Sequence, residues 1–294
     1  MKKLLICLMI GCILLLCSGC QAASHCDIVA TTLPIYDFTA RLCLGTDLTV
    51  SRLINENVSC LHDYSLQVRQ MQLLQGADLV LISGVGLEDF MEDAISEAKQ
   101  ITDCSEGVSL LCTETHHEDS HGHEHHDHGE FDPHYWLDPA NAKIMAQNIC
   151  TSLSATYPQY TQVFQKNLQK LLDDLDALDA YGKEQLSSLR CTELITFHDG
   201  FAYLANAYDL SILEAVEEEA GSEVSASKLV EMIELVQVHE LPAIFTETNG
   251  STASASVISA ETGTKVYNLD MVISGSSYLE AMYENINILK EALG

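Results

Sequence analysis

The sequence predicts an α/β protein built as two α/β lobes, each a parallel sheet flanked by helices, joined by one long helix. Three observations carry this. Short β-rich runs alternate with amphipathic stretches along most of the chain. The stretch from Tyr160 to Leu189 keeps a single apolar stripe, with Phe164, Leu168, Leu171, Leu175 and Leu178 recurring at steps of four and three. The chain of 294 residues also exceeds what one hydrophobic core usually serves, which favours two domains.

The elements follow in order. Asp27 to Thr32 is a strand, and a helix starts near Pro34. Leu48 to Ile54 is a second strand. Ser65 to Gln75 has helical spacing (Leu66, Met71, Leu74) and stops at Gly76. Asp78 to Ser83 reads as a fully buried strand, and Leu87 to Ala98 as a helix. A histidine-rich tract without apolar periodicity then interrupts and is read as a loop. Asp138 caps the next helix, with Pro139 at its first position.

The long stripe follows. A coiled coil for a partner would continue its repeat, whereas this one ends after about four heptads, so an intramolecular helix is expected. About 30 residues give a helix ~45 Å long, enough to run across both lobes. Beyond Arg190 the alternation resumes. Glu193–Phe197, Ser211–Val216, Ala243–Glu247 and Lys265–Asp270 are strands; Gly200–Ala207, Ala226–Val238, Ala253–Glu261 and Tyr278–Leu293 are helices. The expected division is a leader over 1–20, an N-terminal lobe over 21–157 with a His-rich loop at 113–131, a linking helix over 158–190, and a C-terminal lobe over 191–294.

The leader has Lys2 and Lys3 before an apolar run from Leu4 to Cys17. The run is shorter than the ~20 residues that span a bilayer and reads as a signal sequence. Ser18 and Gly19 before Cys20 resemble a bacterial lipoprotein cleavage box, after which Cys20 would carry lipid; Cys17 stands where that box usually has Leu. An exported protein held at the outer face of the cell membrane is expected. Its formal charge of −29 repels nucleic acid and anionic headgroups. The remaining cysteines (Cys26, Cys43, Cys60, Cys104, Cys112, Cys150 and Cys191) are odd in number, irregularly spaced and lack a C-x-x-C pair. Buried free thiols are expected for most of them.

Two kinds of histidine suggest metal chemistry. His116, His117, His121, His123, His125, His126 and His128 lie in HHEDSHGHEHHDHGE, a flexible composition that collects cations weakly. Four other positions sit at strand-to-helix junctions, where α/β proteins build their sites: His62, His134 (in DPHYWLDP), His198 and Asp270. Three imidazoles and one carboxylate make a complete tetrahedral zinc set. Glu247 ends a strand in IFTETNG and either supports a ligand histidine or caps the next helix. His25 and His239 read as ordinary polar residues.

The same segments resemble a known family. HDYSLQVRQM around His62, DPHYWLDP around His134, FHDGFAYLANAYDL around His198 and YNLDMVISG around Asp270 are similar, in this order, to the metal-binding lipoproteins of zinc and manganese ABC transporters, the high-affinity zinc-uptake proteins in particular. The resemblance covers almost the whole mature chain and implies one metal site in the cleft between two lobes. It further implies a long rigid helix that limits lobe movement, a monomer, and delivery of Zn2+ to a membrane permease with its ATPase subunit, with no catalysis. The segment after Asp270 lacks the family's usual proline, so a water is the alternative at that corner. Manganese sites of the family replace one histidine by a carboxylate; His198 occupies that position here, which favours zinc over Mn2+. A surface adhesin or zinc-storage protein of the same fold is the alternative function. His117 to His121 formally spells H-E-x-x-H, but no helical apolar face supports a protease site there.

Overall fold

In a computed structural model the chain is described over residues 26–56, 61, 64–112, 131–217 and 224–294. Two parallel four-stranded sheets organise it. The first holds β1 (Cys26–Ala30), β2 (Val50–Arg52), β3 (Ala77–Ile82) and β4 (Ile101–Asp103) in the order β2-β1-β3-β4. The second holds β5 (Glu193–His198), β6 (Ser211–Glu217), β7 (Ala243–Glu247) and β8 (Lys265–Leu269) in the order β6-β5-β7-β8. The two orders are equivalent. In each, the winding reverses between the first strand and the third, β1/β3 and β5/β7, and that point opens a crevice at the strands' carboxyl ends.

Helices α1 (Leu33–Leu42), α2 (Val68–Gly76), α3 (Glu92–Ser96) and α4 (Pro139–Thr156) precede the long helix α5 (Thr161–Leu186). Helices α6 (Ala202–Ala207), α7 (Ala226–Val238), α8 (Ala253–Thr262) and α9 (Tyr278–Leu293) follow it. Local chemistry sets several ends. The Asp138 carboxylate accepts from the Ala140 N–H at 2.7 Å at the start of α4. Ser225 and Ser277 cap α7 and α9 in the same way. Gly263, at φ +78°, ends α8 in the left-handed region that a side chain disfavours.

Helix α5 is shorter than the stripe predicts: Pro158–Tyr160 forms a separate 3-10 turn before it, and it ends at Leu186, short of Leu189. Phe164, Leu171, Leu175 and Leu178 are buried, and Leu168 is partly buried against the same core. The helix packs on α4 and α1 from the first half and on α9 from the second. One apolar core runs continuously from β1 through α5 to α9; a smaller one lies around Met232, Ile244 and Ile258.

Two expectations need correction. Leu87–Ala98 is not one helix but a 3-10 turn at Asp89–Met91 followed by the five-residue α3. Gly84, Val85 and Gly86 all have positive φ, and the Glu88 carboxylate folds back to the Ser83 and Gly84 N–H groups at 2.8 and 2.9 Å, so the chain turns before it can wind. Strand β4 has no counterpart in the sequence reading. Three half-exposed edge residues give too little alternation to detect. Of the predicted thiols, Cys26, Cys43, Cys104 and Cys150 are buried and free, while Cys112 is exposed and free. Among the described residues no helix is long and apolar enough to cross a membrane.

The halves are also stitched by the segment after Asp270. Trp136 Nε1 donates to Met271 O at 2.9 Å and Leu33 N to Ile273 O at 3.0 Å. Arg52 Nη1 donates to Gly275 O at 2.7 Å, and Tyr278 N donates to Asp37 Oδ2 at 3.0 Å. The Tyr278 hydroxyl donates to Trp136 O at 2.6 Å, and its ring stands edge-on to Phe38.

Candidate metal centre

His198 is the last residue of β5 and Glu247 the last of β7. Thr196 pairs with Phe245, so two residues further on His198 and Glu247 sit side by side at the carboxyl ends flanking the reversal point. His198 Nδ1 is 3.7 Å from Glu247 Oε2, an ion-pair distance rather than a direct hydrogen bond. Both residues are buried.

His134 reaches the same place from the other half. It precedes a 3-10 turn, Tyr135–Leu137, whose three side chains are all fully buried. Tyr135 anchors that turn by donating to Ser83 O at 2.7 Å. Trp136 anchors it through Met271, as described above. The imidazole is thus carried on two aromatic anchors that fix its approach. Its ring stands edge-on to that of His198, with centres 5.6 Å apart and planes at 83°.

That spacing suits a shared cation. Nitrogens ~2.0–2.1 Å from a tetrahedral zinc put two ring centres about 5.2 Å apart. His134 Nδ1 lies 2.8 Å from Asp132 Oδ1. A carboxylate only accepts, so Nδ1 carries the proton and Nε2 is left as the donor atom for a ligand. Asp132 was missed in the sequence. Its one signal is its place two residues before His134 in DPH, where an Asx-type turn can form. Gly200 is a second omission. A methyl group there would meet Met271 Cε at 2.4 Å and His134 Nδ1 at 2.9 Å, so the close approach of α6 to His134 requires a glycine.

Asp270 follows β8. Its carboxylate accepts from the Val272 N–H at 2.7 Å and lines a shallow depression with Ser274, Ser277 and Glu280. Burial raises its pKa above the ordinary 3.8, opposed by the Val272 hydrogen bond. Among the described residues no three His, Cys, Asp or Glu side chains converge into a complete cation site. The described part of the predicted set that comes together is the pair His134 and His198. His62, Cys20 and the tract residues His116, His117, His121, His123, His125, His126 and His128 lie outside the described residues. The neck of the tract is described. Cys112 bridges Phe131, and the Tyr203 hydroxyl accepts from Leu111 N and donates to Asp132 O, both at 2.9 Å.

The profile of the family described as zinc-uptake complex component A, periplasmic, matches residues 28–292. The chain belongs to this family. The zinc-binding lipoprotein AdcA of Streptococcus pneumoniae serotype 4 is 32% identical over 308 residues, covering 99% of this chain and 61% of AdcA. The chain therefore spans about three fifths of that relative's length. The Zn(II)-bound ZnuA-like domain of S. pneumoniae AdcA superposes with a TM-score of 0.75 at 28% identity, covering 92% of this chain and 99% of the domain. A crystal structure of ZnuA superposes with a TM-score of 0.79 at 26% identity, covering 92% of this chain and all of the other. For this zinc-uptake component A member, the expected pair of parallel-sheet lobes with a long helix between them is the fold observed.

Proposed function

We propose that the protein captures a zinc ion outside the cytoplasmic membrane and passes it to an ABC permease and its ATPase subunit. The observation that carries this is the meeting of His134 and His198, one from each half, at a buried point 5.6 Å apart between ring centres. Zinc is cargo here and no chemistry is performed on it. His62 and Asp270 (or a water in its place) complete the ligand set in this reading, and the tract histidines hold further ions loosely. Glu247, beside His198, supports that histidine electrostatically in this reading. Nitrogen-rich ligation suits a borderline cation such as zinc better than manganese. The Zn(II)-bound state of the AdcA domain supports the same cargo, and lipid on Cys20 would keep the monomer at the membrane surface.

The test is metal analysis of the protein as purified, followed by competition between zinc and manganese. One tightly held zinc that manganese does not displace is expected. Preferential manganese loading, or no tight site, overturns the reading. Poor growth of a deletion strain only under zinc limitation would separate uptake from surface attachment.

A further inference from the structure

The Asp132 carboxylate is buried within the protein, yet its two oxygens are used unequally. Oδ1 accepts twice from one residue, from the His134 backbone N–H at 2.9 Å and from the His134 ring Nδ1 at 2.8 Å. Oδ2 is buried and has no hydrogen-bond partner among the described residues. A buried, half-satisfied carboxylate is unfavourable for folding alone and calls for an explanation.

The surroundings restrict His134 further. A side chain on Gly200 would overlap the Nδ1 edge of the ring, so that edge is walled by the α6 entry and closed to a ligand. The Tyr203 hydroxyl holds Asp132 by donating to its backbone oxygen at 2.9 Å. Trp136 stands edge-on to the imidazole, ring centres 5.5 Å apart. With the ring tied to its own backbone through one oxygen atom, rotation about its side-chain bonds would break a hydrogen bond.

We propose that Asp132 is a positioning residue that locks His134 in the Nδ1–H tautomer and presents Nε2 toward His198, while its second oxygen supplies negative charge that offsets an incoming cation. This rests on the zinc-capture reading for its purpose, but not for its geometry. A hydrogen bond at one ring nitrogen decides which tautomer is present. Carboxylates in this position raise ligand basicity, and their loss typically weakens metal affinity 10–100-fold.

The experiment uses the full chain. Long-range nitrogen–proton NMR of the metal-free protein reads the tautomer of His134, assigned by its disappearance in His134→Gln. The wild type is expected to show the Nδ1–H form. Asp132→Ala should shift it toward Nε2–H and weaken zinc binding 10–100-fold. Asp132→Asn can still accept from Nδ1, so it should keep the tautomer and lose less affinity than Asp132→Ala. An Nε2–H tautomer in the wild type overturns the proposal even if Asp132→Ala fails to fold. So does an Asp132→Ala protein that keeps both the Nδ1–H form and wild-type affinity. Because the tautomer is read without metal, a protein that binds no zinc would defeat the capture reading and leave the tautomer result standing.

Discussion

The imidazole of His134 stands edge-on to that of His198, with ring centres 5.6 Å apart, although the two residues belong to different halves of the molecule. A cation held between them would bridge the halves. Alanine at either position should leave the fold intact and weaken zinc binding roughly 100-fold or more, about 2.7 kcal/mol. Competition with a chromogenic chelator measures this. Deleting residues 116–128 should leave the tight site and remove only weak ones. Unchanged affinity in the His134→Ala protein would sink the assignment.

Trp136 is the chain's single tryptophan. It touches both His134 and the Met271 carbonyl, so its fluorescence reports on the pair without a label. Zinc should change its emission, a chelator should reverse the change, and deletion of the tract should not affect it. An emission spectrum indifferent to zinc would place the cation elsewhere.

Gly200→Ala should perturb the site without removing a ligand. The added methyl would overlap Met271 Cε and His134 Nδ1. Met271 can swing aside, but the His134 ring is held by Asp132 and cannot move without losing that bond. Overpacking of this kind costs about 1–3 kcal/mol, visible in thermal or urea denaturation, together with weaker zinc binding. A variant with wild-type stability and affinity would show that the approach of α6 is slack.

Glu88 gives a pH dependence. Burial raises its carboxyl pKa above the ordinary 4.5, opposed by hydrogen bonds from Thr31, Ser83 and Gly84. A carboxyl with a raised folded value binds its proton more tightly when folded. Its stabilising effect is therefore complete below the unfolded value and is lost as pH rises through the folded one. Glu88→Gln should destabilise, because its amide meets a backbone donor; the deficit relative to wild type should shrink as pH rises above about 4.5. Urea denaturation of both proteins across acid to neutral pH measures it. A deficit that grows with pH would reverse the sign.

The continuous core along α5 and the hydrogen bonds around Met271–Tyr278 resist wide opening. Bending α5 would expose apolar surface at ~25 cal/mol per Å². Metal-free and zinc-bound forms should therefore have nearly the same radius of gyration in solution scattering. A difference of several ångströms would make the helix a hinge.

Most helices and strands were legible because their signals are local. The Leu stripe of α5, the Asp138–Pro139 start of α4, and the apolar runs of β3 and β7 are written in consecutive residues. The short extent of α3 and the existence of strand β4 were not. The turn at Gly84–Gly86 is set by where the Glu88 carboxylate goes, and β4 exists only because β3 offers it an edge.

The candidate site divides in the same way. Local signals identify which residue types are available: histidines at strand ends, an acid at the end of β7, and the DPHYWLDP motif. The folded arrangement brings His134 to His198, sets Glu247 beside the latter, and lets Asp132 grip the former. Periodicity records which face of an element is buried, over a few residues at a time. It holds no record of which distant elements share a crevice. That depends on the order of strands in each sheet and on how the two sheets are stitched across Trp136 and Tyr278.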